Sequence, residues 1–134
     1  MIPKFRAYDS GSLSRMYRPD EVMVGDGNIW IIDEDSVAGD WIVNNDIHLM
    51  QSTGLFDRNG KEIFEGDVLT DGDVISDIKY HQTLGFYMIG KYGFSVPFGQ
   101  GVDVEYFEEF AVHVSKTFEV IGNIYENPEL LEVE

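Results

Sequence analysis

The chain holds 134 residues, with 25 Asp and Glu against 9 Lys and Arg, a net charge of −16 and no Cys. That length suits one domain, or one domain with an appendage, able to bury roughly two-thirds of its unfolded surface, and the missing thiols exclude disulfides, thiolate zinc sites and Cys nucleophiles. So negative a surface repels phosphate and argues against direct DNA or RNA binding; with no apolar run near ~20 residues and no apolar segment behind Lys4 and Arg6, the expectation is a soluble cytoplasmic protein without membrane contact.

In chain order, the dominant pattern is short runs of Val, Ile, Phe, Tyr and Trp cut by Gly, Asn and Asp clusters, the signature of a mainly β chain. Residues 4–8 alternate weakly and predict a first strand. Residues 21–24 and 29–32 flank Gly25-Asp26-Gly27-Asn28, residues that tolerate positive φ, and predict a hairpin. The polar stretch 33–40, with the "VNNDI" of residues 43–47, marks the boundary between an N-terminal β-ribbon region, residues 1–46, and a main domain, residues 47–134. Residues 47–51 predict a strand. Leu55-Phe56 and Ile63-Phe64 then bracket Asn59-Gly60, one of the strongest short hairpin signals. Glu65-Gly66-Asp67 turns the chain before residues 68–70, and Asp71-Gly72-Asp73 turns it again before a strand at residues 74–80. Residues 86–89 predict a further strand ahead of a Gly-, Pro- and aromatic-rich loop at 91–101. The spacing of Tyr106, Phe107 and Phe110 predicts a helical turn or two near 105–111. A last strand follows at 118–125, and Asn127-Pro128, an N-cap with Pro in the first helical position, opens a short helix near 127–132.

The charge is uneven: residues 1–19 carry Lys4, Arg6, Arg15 and Arg18 against Asp9 alone, a local +3, which leaves −19 for the rest. A basic arm beside an acidic body invites contact, within the chain or between copies. The alternative is that these side chains only guard strand edges against aggregation.

Motifs that carry chemistry are weak throughout. Gly85, Gly90 and Lys91 have phosphate-loop spacing, but Tyr92 stands where Ser or Thr should hold Mg²⁺, and the intervening Phe-Tyr-Met-Ile predicts a buried strand instead of a cradle. Asp67, Asp71, Asp73 and Asp77 resemble a hard-cation site in composition, yet the spacing is wrong for an EF-hand and turn hydrogen bonds account for the Asp residues on turns. His48, His81 and His113 could form a site only if distant strands met, and Val112-His113-Val114 reads as a strand alternating faces. Ser95 lacks a nucleophile elbow, and the Glu108-Glu109 pair reflects abundant acid.

Two stretches say more than composition can. "LMQSTGLFDRNGKEIFEGDVL" at 49–69 and "FEVIGNIYENPELL" at 118–131, together with the opening "KFRAYD" and Met16-Tyr17, resemble the signature segments of the YopX family, uncharacterised phage and prophage proteins of mostly Gram-positive bacteria. The likeness fades at 22–48 and 75–117, and Tyr8 replaces the family's usual Trp. The resemblance implies a mainly β protein, an N-terminal β-ribbon with a C-terminal SH3-like barrel, and brings no catalytic residues. Gly60, Gly66 and Gly122 then look like turn and bulge positions of a small barrel.

The functional expectation is a non-enzymatic interaction module that self-associates as a homo-oligomer and meets a host or phage protein, with no catalytic, cofactor-binding or metal-binding residues. One alternative is an acidic DNA mimic. Its acids would be spread at about 280 Å² each on a surface of about 7,000 Å², too sparse by about threefold against a duplex's one charge per about 105 Å², unless they cluster on one face. The other alternative is a divalent-metal enzyme using Asp67, Asp71, Asp73 and a His.

Overall fold

The computed structural model describes residues 4–11, 14–83, 85–89, 95–97 and 104–131, with residues 95–97 and 104–107 described by backbone alone. The chain separates into two units, Met1–Gln51 and Ser52–Glu134. The sequence reading put the boundary at 46/47; the contacts put it inside a strand, because Ile47 is buried in the core of the first unit.

In the first unit, β1 (Phe5–Asp9) pairs antiparallel with β2 (Arg15–Tyr17) on one side and with residues 48–51 on the other. Ala7 lies opposite both Tyr17 and Leu49; its small side chain is fully buried and leaves room for theirs. A second sheet runs β3 (Val22–Gly25), β4 (Asn28–Ile32), β5 (Trp41–Val43). Val22 and Ile31 face each other in its register and join Ala7, Tyr17 and Ile47 in one core. The β3–β4 hairpin is the expected one: Asp26 and Gly27 take φ of 53° and 75°, the two left-handed residues of a turn whose twist matches that of the strands. No atom lies within 4 Å of a Cβ placed on Gly27, so its role is conformational. Gly27→Ala should therefore cost about 1 kcal/mol in a urea titration, and Gly27→Asn measurably less.

Arg15 of the basic arm spends its charge inside this unit. The Arg15 guanidinium donates to the buried Glu21 carboxylate at 2.5 Å and also pairs with Glu34. Glu21 accepts the Arg18 N–H at 3.0 Å across the 3-10 turn Pro19–Glu21, and the Arg15 guanidinium lies 4.3 Å from the centre of the Tyr17 ring. Burial pushes the Tyr17 hydroxyl up; Asp9 and Glu21 push the same way, against the lowering pull of Arg15.

In the second unit, residues 52–56 of β6 (His48–Phe56) pair with β7 (Glu62–Phe64), confirming the hairpin around Asn59-Gly60. β8 (Asp67–Thr70) sits between β9 (Ile75–Asp77) and β13 (Glu119–Asn123). β11 (Gly85–Ile89) sits between β10 (Lys79–His81) and β12 (Ser95–Pro97). The strand expected over 74–80 is thus two strands in different sheets. The switch occurs at Ile78, whose N–H donates to Asp67 O and whose C=O accepts from Gly66 N while its side chain enters the core.

The helix is longer than the turn or two expected near 105–111: α1 spans Val104–Thr117, 14 residues. Val112-His113-Val114, read as a strand, lies inside it. Phe110, Ala111 and Val114 recur at helical spacing and pack into the core with Leu55, Ile63, Leu69, Ile78, Phe86 and Met88, so Val114 is fully buried while Val112 is exposed. The expected terminal helix near 127–132 is a 3-10 turn, Pro128–Leu131. In the loop expected at 91–101, Ser95–Pro97 is a strand; residues 91–94 and 98–101 lie outside the described residues.

Candidate interaction surface

The acids weighed as ligands are bound into turns. Asp71 Oδ1 accepts the N–H groups of Asp73 and Val74, both at 2.9 Å. Asp67 Oδ2 accepts Phe64 N–H at 2.8 Å, and Asp77 receives the Lys79 ammonium at 3.1 Å. Asp57, not singled out from sequence, gathers three backbone donors: Oδ1 accepts from Asn59 N and Lys61 N and Oδ2 from Val120 N, all within 2.9 Å. Burial pushes the Asp57 carboxyl up, but those three N–H groups and the Lys61 charge outweigh it and hold the carboxyl below its usual range.

Each histidine has partners of its own. His48 Nε2 meets Ser10 Oγ at 3.1 Å, His81 Nδ1 accepts Thr83 N–H at 3.1 Å, and His113 lies edge-on to Phe118. Among the described residues no three of His, Asp and Glu gather to hold a metal ion. Gly85 and the residues after it form the predicted strand β11; Gly90, Lys91 and Tyr92 lie outside the described residues. Ser95 is in β12, and Glu108 and Glu109 lie exposed on α1.

The ribbon β3-β4-β5 is different, because several of its large apolar side chains remain in water. Cross-strand partners share a face in an antiparallel sheet, and the register Met23↔Trp30↔Val43 with Ile32↔Trp41 puts Met23, Trp30, Ile32, Trp41 and Val43 on one side. On that side Met23 is 45% exposed, Val43 43% and Trp41 36%. Both of the chain's Trp residues are there. The Trp30 indole N–H donates to Gly25 O at 3.2 Å, fixing the ring along the hairpin. Asn45 ties the chain after β5 to this same turn end by accepting Ile29 N–H and donating to Asn28 Oδ1.

β5 is also an edge strand, paired only with β4 among the described residues. Asp33 N donates to Asp40 O and Asn44 N to Ile29 O, so residues 40, 42 and 44 turn their backbone groups toward β4. By alternation the N–H and C=O groups of Trp41 and Val43 point outward. Polar and acidic residues rim the face, and no Lys or Arg occurs between Arg18 and Arg58. Exposed apolar faces and open strand edges are features that docking surfaces commonly use. The sequence reading passed over Trp41-Ile42-Val43, although three consecutive large apolar residues between two polar loops are a detectable strand signal.

No described helix is long and apolar enough to cross a membrane. A family model described as YopX protein matches residues 4–132. The crystal structure of protein EF1440 from Enterococcus faecalis is similar at a TM-score of 0.58 and 29% identity, covering 98% of this chain and 99% of that one. No curated protein matches.

Proposed function

The chain belongs to the YopX family, and from that premise we propose that it is a non-enzymatic protein-interaction module that self-associates through its N-terminal ribbon. The observation that carries this is the exposed face of Met23, Trp41 and Val43 beside a Trp30 ring held in place by its own hydrogen bond. Preorganised aromatic side chains of this sort are the anchors from which interfaces draw most of their binding energy. In the second unit, the chain changes sheets at Ile78 around a core against which α1 packs; we read it as a small SH3-like barrel that serves as scaffold.

Several acids that competing roles would need are already engaged. Glu21, Asp57, Asp67 and Asp77 are buried and accept hydrogen bonds from their own chain, so they are not displayed as imitation phosphates. Asp67, Asp71 and Asp77 likewise give oxygen lone pairs to neighbouring donors that a metal would have to displace.

Light scattering on a size-exclusion column should give a mass above the 15.2 kDa of one chain. Ile42→Glu and Val43→Glu, at exposed positions of the edge strand, should lower it to that of one chain while leaving the melting temperature nearly unchanged. A single-chain mass for the unmodified protein at about 1 mM, a load where even weak association of about −4.1 kcal/mol shows, would refute the reading.

A further inference from the structure

We infer that two copies join by adding β5 to β5 of the second copy, antiparallel and centred on Ile42, making one six-stranded sheet across a two-fold axis. This rests on the self-association just proposed and names its geometry. Three observations carry it.

First, the outward backbone groups of β5 belong to Trp41 and Val43. In an antiparallel ladder centred on residue 42, Trp41 of each copy is opposite Val43 of the other. Each such pair exchanges both its N–H···O bonds, giving about four new hydrogen bonds with no backbone change. Second, the charges select that register. Sliding by two residues one way sets Asp40 opposite Asp46 of the second copy; sliding by four the other way sets Asp40 opposite Asp40. Sliding by two in that second direction lays Asp40 on Ile42. Centring on Ile42 puts Asp40 opposite Asn44, an amide that can donate to it, and this acidic ribbon offers no Lys or Arg that could do so instead. Third, the face continues across the junction. Trp41 and Val43 of one copy lie beside Val43 and Trp41 of the other, extending the exposed apolar side of β4 and β5, and Ile42, 43% exposed, meets its own copy on the opposite side. A two-fold contact of this kind closes on itself and does not propagate into fibres.

The chain has no Cys, so single-cysteine variants of the full protein read the register cleanly. In the proposed ladder residue 42 faces residue 42 as a non-hydrogen-bonded pair, about 4.5 Å between Cα atoms, within the range a disulfide spans. Residues 41 and 43 lie diagonal to their own copies, about 7–8 Å away. Mild oxidation should therefore convert most of Ile42→Cys to a covalent dimer on a non-reducing gel and leave Trp41→Cys and Val43→Cys at least five-fold behind. Faster cross-linking of either flanking variant would overturn the register. Failure of all three to cross-link, in a protein that light scattering finds dimeric, would overturn the ladder while sparing self-association. If both methods find single chains, this inference and the reading beneath it fall together.

Discussion

Asp57→Ala is expected to destabilise the protein by about 3–5 kcal/mol, a large part of the about 5–15 kcal/mol that a domain of this size commands. The side chain is 2% exposed, and its two oxygens take the N–H groups of Asn59, Lys61 and Val120. Removing the acceptor leaves buried donors without partners, at about 1–3 kcal/mol for each that water does not reach. The damage joins distant parts of the unit, because the same carboxylate closes the β6–β7 loop and holds the start of β13 beside it. Urea titration of the Asp57→Ala variant measures the loss. Asp57→Asn should fall between, keeping one acceptor oxygen but turning an NH₂ group toward one of the three donors.

The carboxyl is held below its usual range in the fold, so protons bind the unfolded chain more readily at this site. Its contribution is full above the unfolded carboxylate pKa of about 3.9 and is lost as pH falls through the lower folded value. The gap in stability between the wild type and Asp57→Asn should therefore be constant from neutral pH down to about 5 and narrow below about 4. A gap unchanged down to pH 3 would mean that the charge of Asp57 does not contribute and only its shape does.

What could be read from the chain follows the range of the interactions involved. Turns are local: Asp26-Gly27 and Asn59-Gly60 need positive φ within a few residues, and the structure places Asp26, Gly27 and Gly60 there. Asp71 of "DGD" is legible for the same reason, its carboxylate accepting the N–H groups of the turn that follows it. The helix was underestimated because its stripe, Phe110, Ala111 and Val114, shows only against the core it meets; taken alone, Val-His-Val alternates as a strand does. The change of sheet at Ile78 depends on Asp67 and Gly66, more than ten residues away. The ribbon face escaped notice because strand β5 is just three residues long and its exposure depends on what fails to cover it. Asp57 was hidden differently, since "FDRNG" explains it as a turn residue and nothing local reveals that its second oxygen reaches Val120.

Gly122→Ala should be the second most damaging change, costing about 2–3 kcal/mol. The constraint here is contact. A methyl group at Gly122 would lie 2.6 Å from Asn127 Oδ1, 2.8 Å from Asn127 Cγ and 2.8 Å from Leu130 Cδ1. Asn127 cannot easily yield: its Oδ1 accepts Asn123 N–H at 3.2 Å and its own N–H donates to Asn123 O at 2.9 Å. On the other side the strand is held by β8, where Gly122 pairs with the fully buried Val68 just after the ladder shifts register. The methyl group must therefore push Asn127 and Leu130 outward, open the Pro128–Leu131 turn and strip the Asn123 N–H of its acceptor. Two measurements separate this account from a general loss of stability. Amide exchange at Asn123 should accelerate in Gly122→Ala by more than at Leu69, on the neighbouring strand. In a double-mutant cycle, Asn127→Gly should cost less in the Gly122→Ala background than alone, because the clash it relieves is then present. Strictly additive losses would show that Gly122 and Asn127 do not meet as described, and that the glycine is required for some other reason.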